Sequence, residues 1–148
     1  MKQNLKKLLL QDLFIGAWVQ EIPDTKKVKS SPMYISAIFC DGDLYLDFNG
    51  NESDPFDSNI EEIRGIEIQP DILRGFHFEE TDHNVFEKKC DGFKVVVTIS
   101  DHQHYKLLRA GIHHDNGGFQ FDENIVYIHH LQDFVFRSTR KPLQLTWK

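Results

Sequence analysis

Cysteine is scarce in this chain: Cys40 and Cys90 are the only two in 148 residues, and they stand in separate segments. Neither belongs to a C-x-x-C pair, so a zinc knuckle and a thioredoxin-type dithiol both lack their ligands. Two buried thiols in a reducing compartment is the reading that remains. Long apolar runs are missing as well. Lys2, Lys6 and Lys7 ahead of Leu8-Leu9-Leu10 resemble the start of an export leader. Gln11 and Asp12 end that run early, where a leader needs roughly seven or more apolar residues. Phe14-Ile15-Gly16-Ala17-Trp18 falls equally short of the about 20 apolar residues of a membrane helix. The expectation is a cytoplasmic protein with no membrane segment.

Positive charge is also short. The 17 Lys and Arg against 23 Asp and Glu leave −6, which argues against a nucleic-acid backbone as the main partner. The sequence has no G-x-S-x-G, no P-loop and no G-x-G-x-x-G, and Gly117-Gly118 reads as a turn rather than a phosphate cradle. Asp41-Gly42-Asp43 is too short for a calcium loop. Glu61-Glu62 and Glu79-Glu80 read as solvated charges rather than an acid/base dyad.

What is present is apolar and aromatic. Hydrophobic residues make up 40% of the chain and twelve are Phe, enough to build a folded core at about 2 kcal/mol per buried ring. Ile128, Leu131, Phe134 and Val135 recur at helical spacing, so a helix is expected over 127–139, stopped by Pro142. A short lead-in helix is expected over 2–11 and a strand over 14–20, followed by a turn at Pro23-Asp24-Thr25. The next strand, 33–39, places Met33, Ile35, Ala37 and Phe39 on one face. Asp41-Gly42-Asp43 turns the chain back into a strand over 44–48. Residues 49–55 form a polar loop, and 60–68 a last strand. Strands this short and this many predict a small SH3-like barrel.

A one- to two-turn helix follows over 69–76, with Pro70 in its first turn and Gly75 as its C-terminal cap. Further strands are expected over 76–80, 85–89, 93–99, 105–112 and 119–121. Turns fall at Asp91-Gly92 and Asn116-Gly117-Gly118, and a polar connection spans 100–104. Leu143, Leu145 and Trp147 alternate as in an edge strand. The fold class is α+β, mainly antiparallel β: an SH3-like N-terminal lobe over 1–68, and a C-terminal sheet packed by one helix over 69–148.

Six of the eight histidines fall in pairs, at His102 and His104, His113 and His114, and His129 and His130. Histidine is the commonest metal ligand, so the clusters need weighing. A strand over 105–112 separates His104 from His113 by about 30 Å, far beyond one coordination sphere. His129 and His130 point about 100° apart on a helix and lack the H-E-x-x-H spacing. They are read as surface and turn histidines. Trp18, Tyr34, Tyr45 and Phe48 are the stronger hint, because aromatics on a small barrel form binding platforms as well as cores.

Three segments carry a resemblance. Leu13-Phe14-Ile15-Gly16-Ala17-Trp18-Val19 looks like an "LRIGNWV" opening. The stretch from Ile66 to Phe76 resembles an "I-x-L-T-x-E-x-L" helix ending in Gly-Phe. Residues 127–139 are similar to "YVHQLQNLYFALTG", matching at His129, Leu131, Gln132 and Phe136. Together they resemble small uncharacterised proteins of Bacteroides-type bacteria, often from phage-like or mobile regions. Arg140-Lys141-Pro142 replaces the Gly-Glu-Glu of that pattern. The resemblance implies a cytoplasmic bacterial protein with an SH3-like first half and no catalytic residues to carry over.

The expected function is a non-enzymatic protein-interaction module whose N-terminal sheet or exposed edge strand binds a protein partner. The alternatives are a metal-binding protein or metal-dependent hydrolase using the His/Asp-rich loops, and a nucleic-acid-binding accessory protein of a mobile element. No catalytic, cofactor-binding or metal-ligating residue is nominated, no cofactor is expected, and the oligomeric state stays open.

Overall fold

The structure, a computed structural model, describes residues 13–22, 31–48, 56–101 and 106–147. The helix expected over 2–11, the Pro23-Asp24-Thr25 turn, the 49–55 loop, His102 and His104 lie outside the described residues. The chain divides into two compact units, Met1–Ile66 and Glu67–Lys148. The division falls two residues before the sequence-based boundary for a local reason. Glu67 bridges Tyr127, and the Ile68 N–H donates to the Val126 carbonyl at 3.0 Å, which ties both residues to the second unit.

The first unit is an antiparallel five-stranded sheet. Its strands are β1 (Trp18–Glu21), β2 (Met33–Ile38), β3 (Asp43–Asp47), β4 (Phe56–Asn59) and β5 (Ile63–Gly65), ordered β4-β3-β2-β1-β5. β1 starts later than the sequence pattern indicated, because Gly16 takes φ +96° and turns the chain first, its N–H donating to Ile35 O at 2.7 Å. β4 was not foreseen. Asn59 then caps a single 3-10 turn, Ile60–Glu62, by accepting from the Glu61 N–H at 3.0 Å, so only Ile63–Gly65 of the expected 60–68 strand is extended in a ladder. Alternation along β3 buries Leu44 and Leu46 beside Val19, Ile35 and Ile63, and Ile38 and Ile60 pack on that cluster. Each such side chain contributes about 2 kcal/mol on leaving water.

The second unit begins with α1 (Pro70–Gly75). A five-stranded meander follows: β6 (Glu79–Asp82), β7 (Val85–Lys89), β8 (Phe93–Asp101), β9 (Lys106–His114) and β10 (Phe119–Asp122), with α2 (Ile128–Thr139) closing the unit. The sheet order is β10-β9-β8-β7-β6, antiparallel throughout. Asp91-Gly92 makes the β7–β8 turn, with Gly92 at φ +89°. β8 is one-sided: Phe93, Val95, Val97 and Ile99 are buried while Lys94, Val96, Thr98 and Ser100 are half-buried. The α2 stripe Ile128, Leu131, Phe134 and Val135 is buried and α2 packs against β9, as the helical spacing requires. The whole is α+β and mainly antiparallel β. Among the described residues, no helix is long and apolar enough to cross a membrane.

Four expectations are corrected here. α2 ends at Thr139, before Pro142 acts, because Arg140 adopts the left-handed conformation at φ +61° and returns its N–H to Phe136 O. Leu143, Leu145 and Trp147 form no strand. Instead the Trp147 ring meets Phe76 edge-on at 5.0 Å. Gly75 is not the left-handed cap of α1; His77 takes the positive φ, +66°. Gly75 is small because Trp147 lies against it, and a Cβ built there would sit 2.1 Å from the indole. The connection expected over 100–104 is shorter at its start, since β8 extends through Asp101.

Candidate functional site

The site is built by an irregularity in the β2–β3 hairpin. Ile35 pairs with Leu46 but Ala37 pairs with Tyr45, so Ser36 is an extra residue and a β-bulge interrupts the ladder. An unbroken strand keeps Met33, Ile35, Ala37 and Phe39 on one face. The bulge reverses the alternation after Ile35, sending Ile38 to the core beside Leu44 and leaving Phe39 42% exposed. Phe39 thereby reaches Tyr45, ring to ring at 5.1 Å and 72°. Gly42 at φ +96° closes the hairpin, and Asp41 Oδ1 accepts from the Asp43 N–H at 3.0 Å.

β4 supplies the other wall. Asp57 stands opposite Tyr45, and Asn59 opposite Asp43, whose Oδ1 accepts from Asn59 Nδ2 at 3.0 Å. The result is an open cleft of about 520 Å³ lined by Phe39, Cys40, Asp41, Asp43, Leu44, Tyr45, Asp57 and Ser58. Leu44 and Ser58 oppose each other one position along, so their side chains alternate to the buried face. The solvent side presents two aromatic rings, a thiol and three carboxylates. Among the described residues, no Lys or Arg lines it. Further along the same strand pair, Phe48 and Phe56 stack at 5.8 Å, both exposed.

Of the four aromatics singled out in the sequence, Tyr45 and Phe48 are exposed. Trp18 is buried, and Tyr34 is half-buried against it with ring centroids 5.3 Å apart. Phe39, Phe56 and Asp57 were missed. The bulge that exposes Phe39 has no composition signal, and β4 is too short and too polar to stand out.

The histidines part company. His113 is exposed on β9 against Phe119, with centroids 4.6 Å apart, and His114 Nε2 meets Gln120 Oε1 at 2.9 Å. His129 is 1% exposed, which corrects its reading as a surface residue. Its ring lies 4.6 Å from that of His130 and stacks on Tyr127 at 5.5 Å, so the two imidazoles do meet despite their helical offset. His130 Nδ1 accepts from the Tyr127 and Val126 N–H groups, both at 3.4 Å, which places it at the helix entry as a cap. Among the described residues, no three His, Cys, Asp or Glu side chains gather as a metal would require.

The two thiols differ in setting. Cys40 is exposed at the cleft rim, which corrects its reading as a buried thiol, whereas Cys90 is partly buried and burial pushes its thiol up. Less thiolate and less access both slow alkylation. Iodoacetamide at neutral pH is expected to modify Cys40 several-fold faster than Cys90, as peptide mass mapping over time will show. Equal rates would contradict this placement.

No protein-family model, curated protein or solved structure matches the chain.

Proposed function

We propose that the chain is a non-enzymatic interaction module whose first sheet docks a protein partner through a lysine or arginine side chain. The observation that carries the reading is the cleft itself: two exposed rings and three carboxylates around one concavity, with no cation among its described lining residues. A cation over an aromatic face gains about 0.5–1 kcal/mol when exposed and about 2 when desolvated. Each nearby carboxylate adds about 1 kcal/mol in a watery setting, screened by salt. Phosphate-bearing nucleic acid is repelled by the same carboxylates, so a basic peptide is the occupant with matching chemistry.

The strand order supports reading this unit as an SH3-like barrel. Written from its other edge it runs β5-β1-β2-β3-β4, with the 3-10 turn leading into the last strand. Membership of the Bacteroides-type, phage-like group and a cytoplasmic setting belong to the same proposal, resting on the three sequence motifs and two free thiols.

Fluorescence anisotropy with labelled Lys/Arg-bearing peptides tests the binding. Saturable binding that weakens as salt rises, with none for Glu/Asp-bearing counterparts, is expected. Equal binding of both peptide classes, or of neither, would remove the proposal.

A further inference from the structure

The two edges of the second sheet are differently defended. β6, at one end, reads Glu79-Glu80-Thr81-Asp82, all exposed; Glu80 pairs with Arg74, and the carboxylates of Glu79 and Asp82 repel a second strand. β10, at the other end, carries the uncharged run Phe119-Gln120-Phe121. Phe119 and Phe121 are 52% and 54% exposed and stack at 5.9 Å on one face, with the Arg109 guanidinium 4.9 Å from the Phe121 centroid. Such an edge is open to strand addition.

The backbone of β10 faces the same way. Asp115-Asn116-Gly117 forms a three-residue hairpin loop: Gly117, at φ +96°, donates to His114 O at 3.0 Å, and the His114 N–H donates to Gly118 O at 2.8 Å. His114 and Gly118 are thus a hydrogen-bonded pair. Bonded and non-bonded pairs alternate along an antiparallel ladder. Gln120 opposite Ile112 is therefore bonded to β9, while Phe119 opposite His113 and Phe121 opposite Gly111 are not. The N–H and C=O of both phenylalanines point away from β9, and among the described residues no strand pairs on that side.

We propose that β10 pairs antiparallel with β10 of a second copy of this chain, about a two-fold axis at Gln120. That register sets Phe119 opposite Phe121 of the other copy, each pair exchanging both main-chain hydrogen bonds, and joins the stacked rings into one aromatic row. It sets Asp122 opposite Gly118 and Glu123 opposite Gly117, so the flanking carboxylates meet residues without side chains rather than one another. Only Gln120 meets itself, amide to amide. A pairing this short lies at the small end of specific interfaces, so the dimer is weak and reversible. It involves neither the cleft nor its partner.

The register makes a charge swap decisive, because like charges directly opposite destabilise a strand pair and unlike ones stabilise it. Substitution of the exposed Gln120 side chain alters its surface bond to His114 Nε2 and leaves the core undisturbed. Sedimentation velocity on the full chain, from about 10 μM to about 1 mM, is expected to show concentration-dependent dimers for the unaltered protein. Gln120→Glu alone and Gln120→Lys alone stay monomeric, and their equimolar mixture dimerises. Phe121→Pro, which removes an outward N–H while leaving the bonds to β9, also stays monomeric with an unchanged circular-dichroism spectrum. A chain that stays monomeric at every concentration would overturn the proposal and leave the edge to some other extended segment. So would dimers that persist undiminished in Gln120→Glu.

Discussion

Gly75→Ala lowers the stability of the second unit in the unaltered chain and raises it once Trp147 is cut to alanine. Inside a helix, alanine is favoured over glycine by up to about 1 kcal/mol. At position 75 the new methyl meets the indole edge at 2.1–2.9 Å, so the ring must leave its place beside Phe76. Crowding of this kind costs about 1–3 kcal/mol, which exceeds the propensity gain and leaves a net loss of about 1–2 kcal/mol. In the Trp147→Ala background the obstacle is gone and only the propensity gain remains. Urea unfolding of the four proteins measures the cycle. Tryptophan emission should also shift to the red in Gly75→Ala, since Trp147 becomes wetter while Trp18 stays buried. Gly75→Ala costing the same in both backgrounds would show that Trp147 is not what keeps residue 75 small.

Tyr45→Ala weakens binding of a Lys/Arg-bearing peptide by about tenfold, roughly the 1.4 kcal/mol of one partly desolvated cation–ring contact. Tyr45 sits on the solvent face of β3 and packs edge-on against Phe39, so its truncation is expected to lower unfolding free energy by about 1 kcal/mol, the loss of that ring pair, and to leave the chain folded. The two effects are therefore separable. Asp57→Asn, opposite Tyr45, should weaken binding less but flatten its salt dependence, because it removes charge and keeps shape. Tyr45→Ala with unchanged affinity would move the binding surface elsewhere, the Phe48–Phe56 stack being the nearest other exposed aromatic pair on these strands.

How far the sequence carried these conclusions depends on the length of each signal. α2 has twelve residues and an apolar stripe that survives every local disturbance, so its existence and buried face were readable. The long hairpin strands β8 and β9 were readable too, since Val95, Val97 and Ile99 alternate for nine residues before anything interrupts them. The first unit was harder. One extra residue in β2 inverts the facing of Phe39 and Ile38, and nothing in Met33-Tyr34-Ile35-Ser36-Ala37-Ile38-Phe39 marks where the bulge falls. Phe56-Asp57-Ser58-Asn59 looks like loop because an edge strand buries little; only Ser58 of the four is buried. Gly75 misled for a different reason. A glycine at the end of a short helix normally signals a left-handed cap, and its true constraint comes from a residue 72 positions later (147 − 75). The buried His129 reflects the same gap between local pattern and tertiary neighbour.

The most direct test uses the thiol already at the cleft rim. Cys40 lines the cleft and Cys90 does not, so the pair reports occupancy with an internal control. A saturating Lys/Arg-bearing peptide should slow alkylation of Cys40 at least severalfold and leave Cys90 unchanged. Bound peptide with Cys40 reacting at its free rate would show that the aromatic and acidic cleft is not where this protein meets its partner.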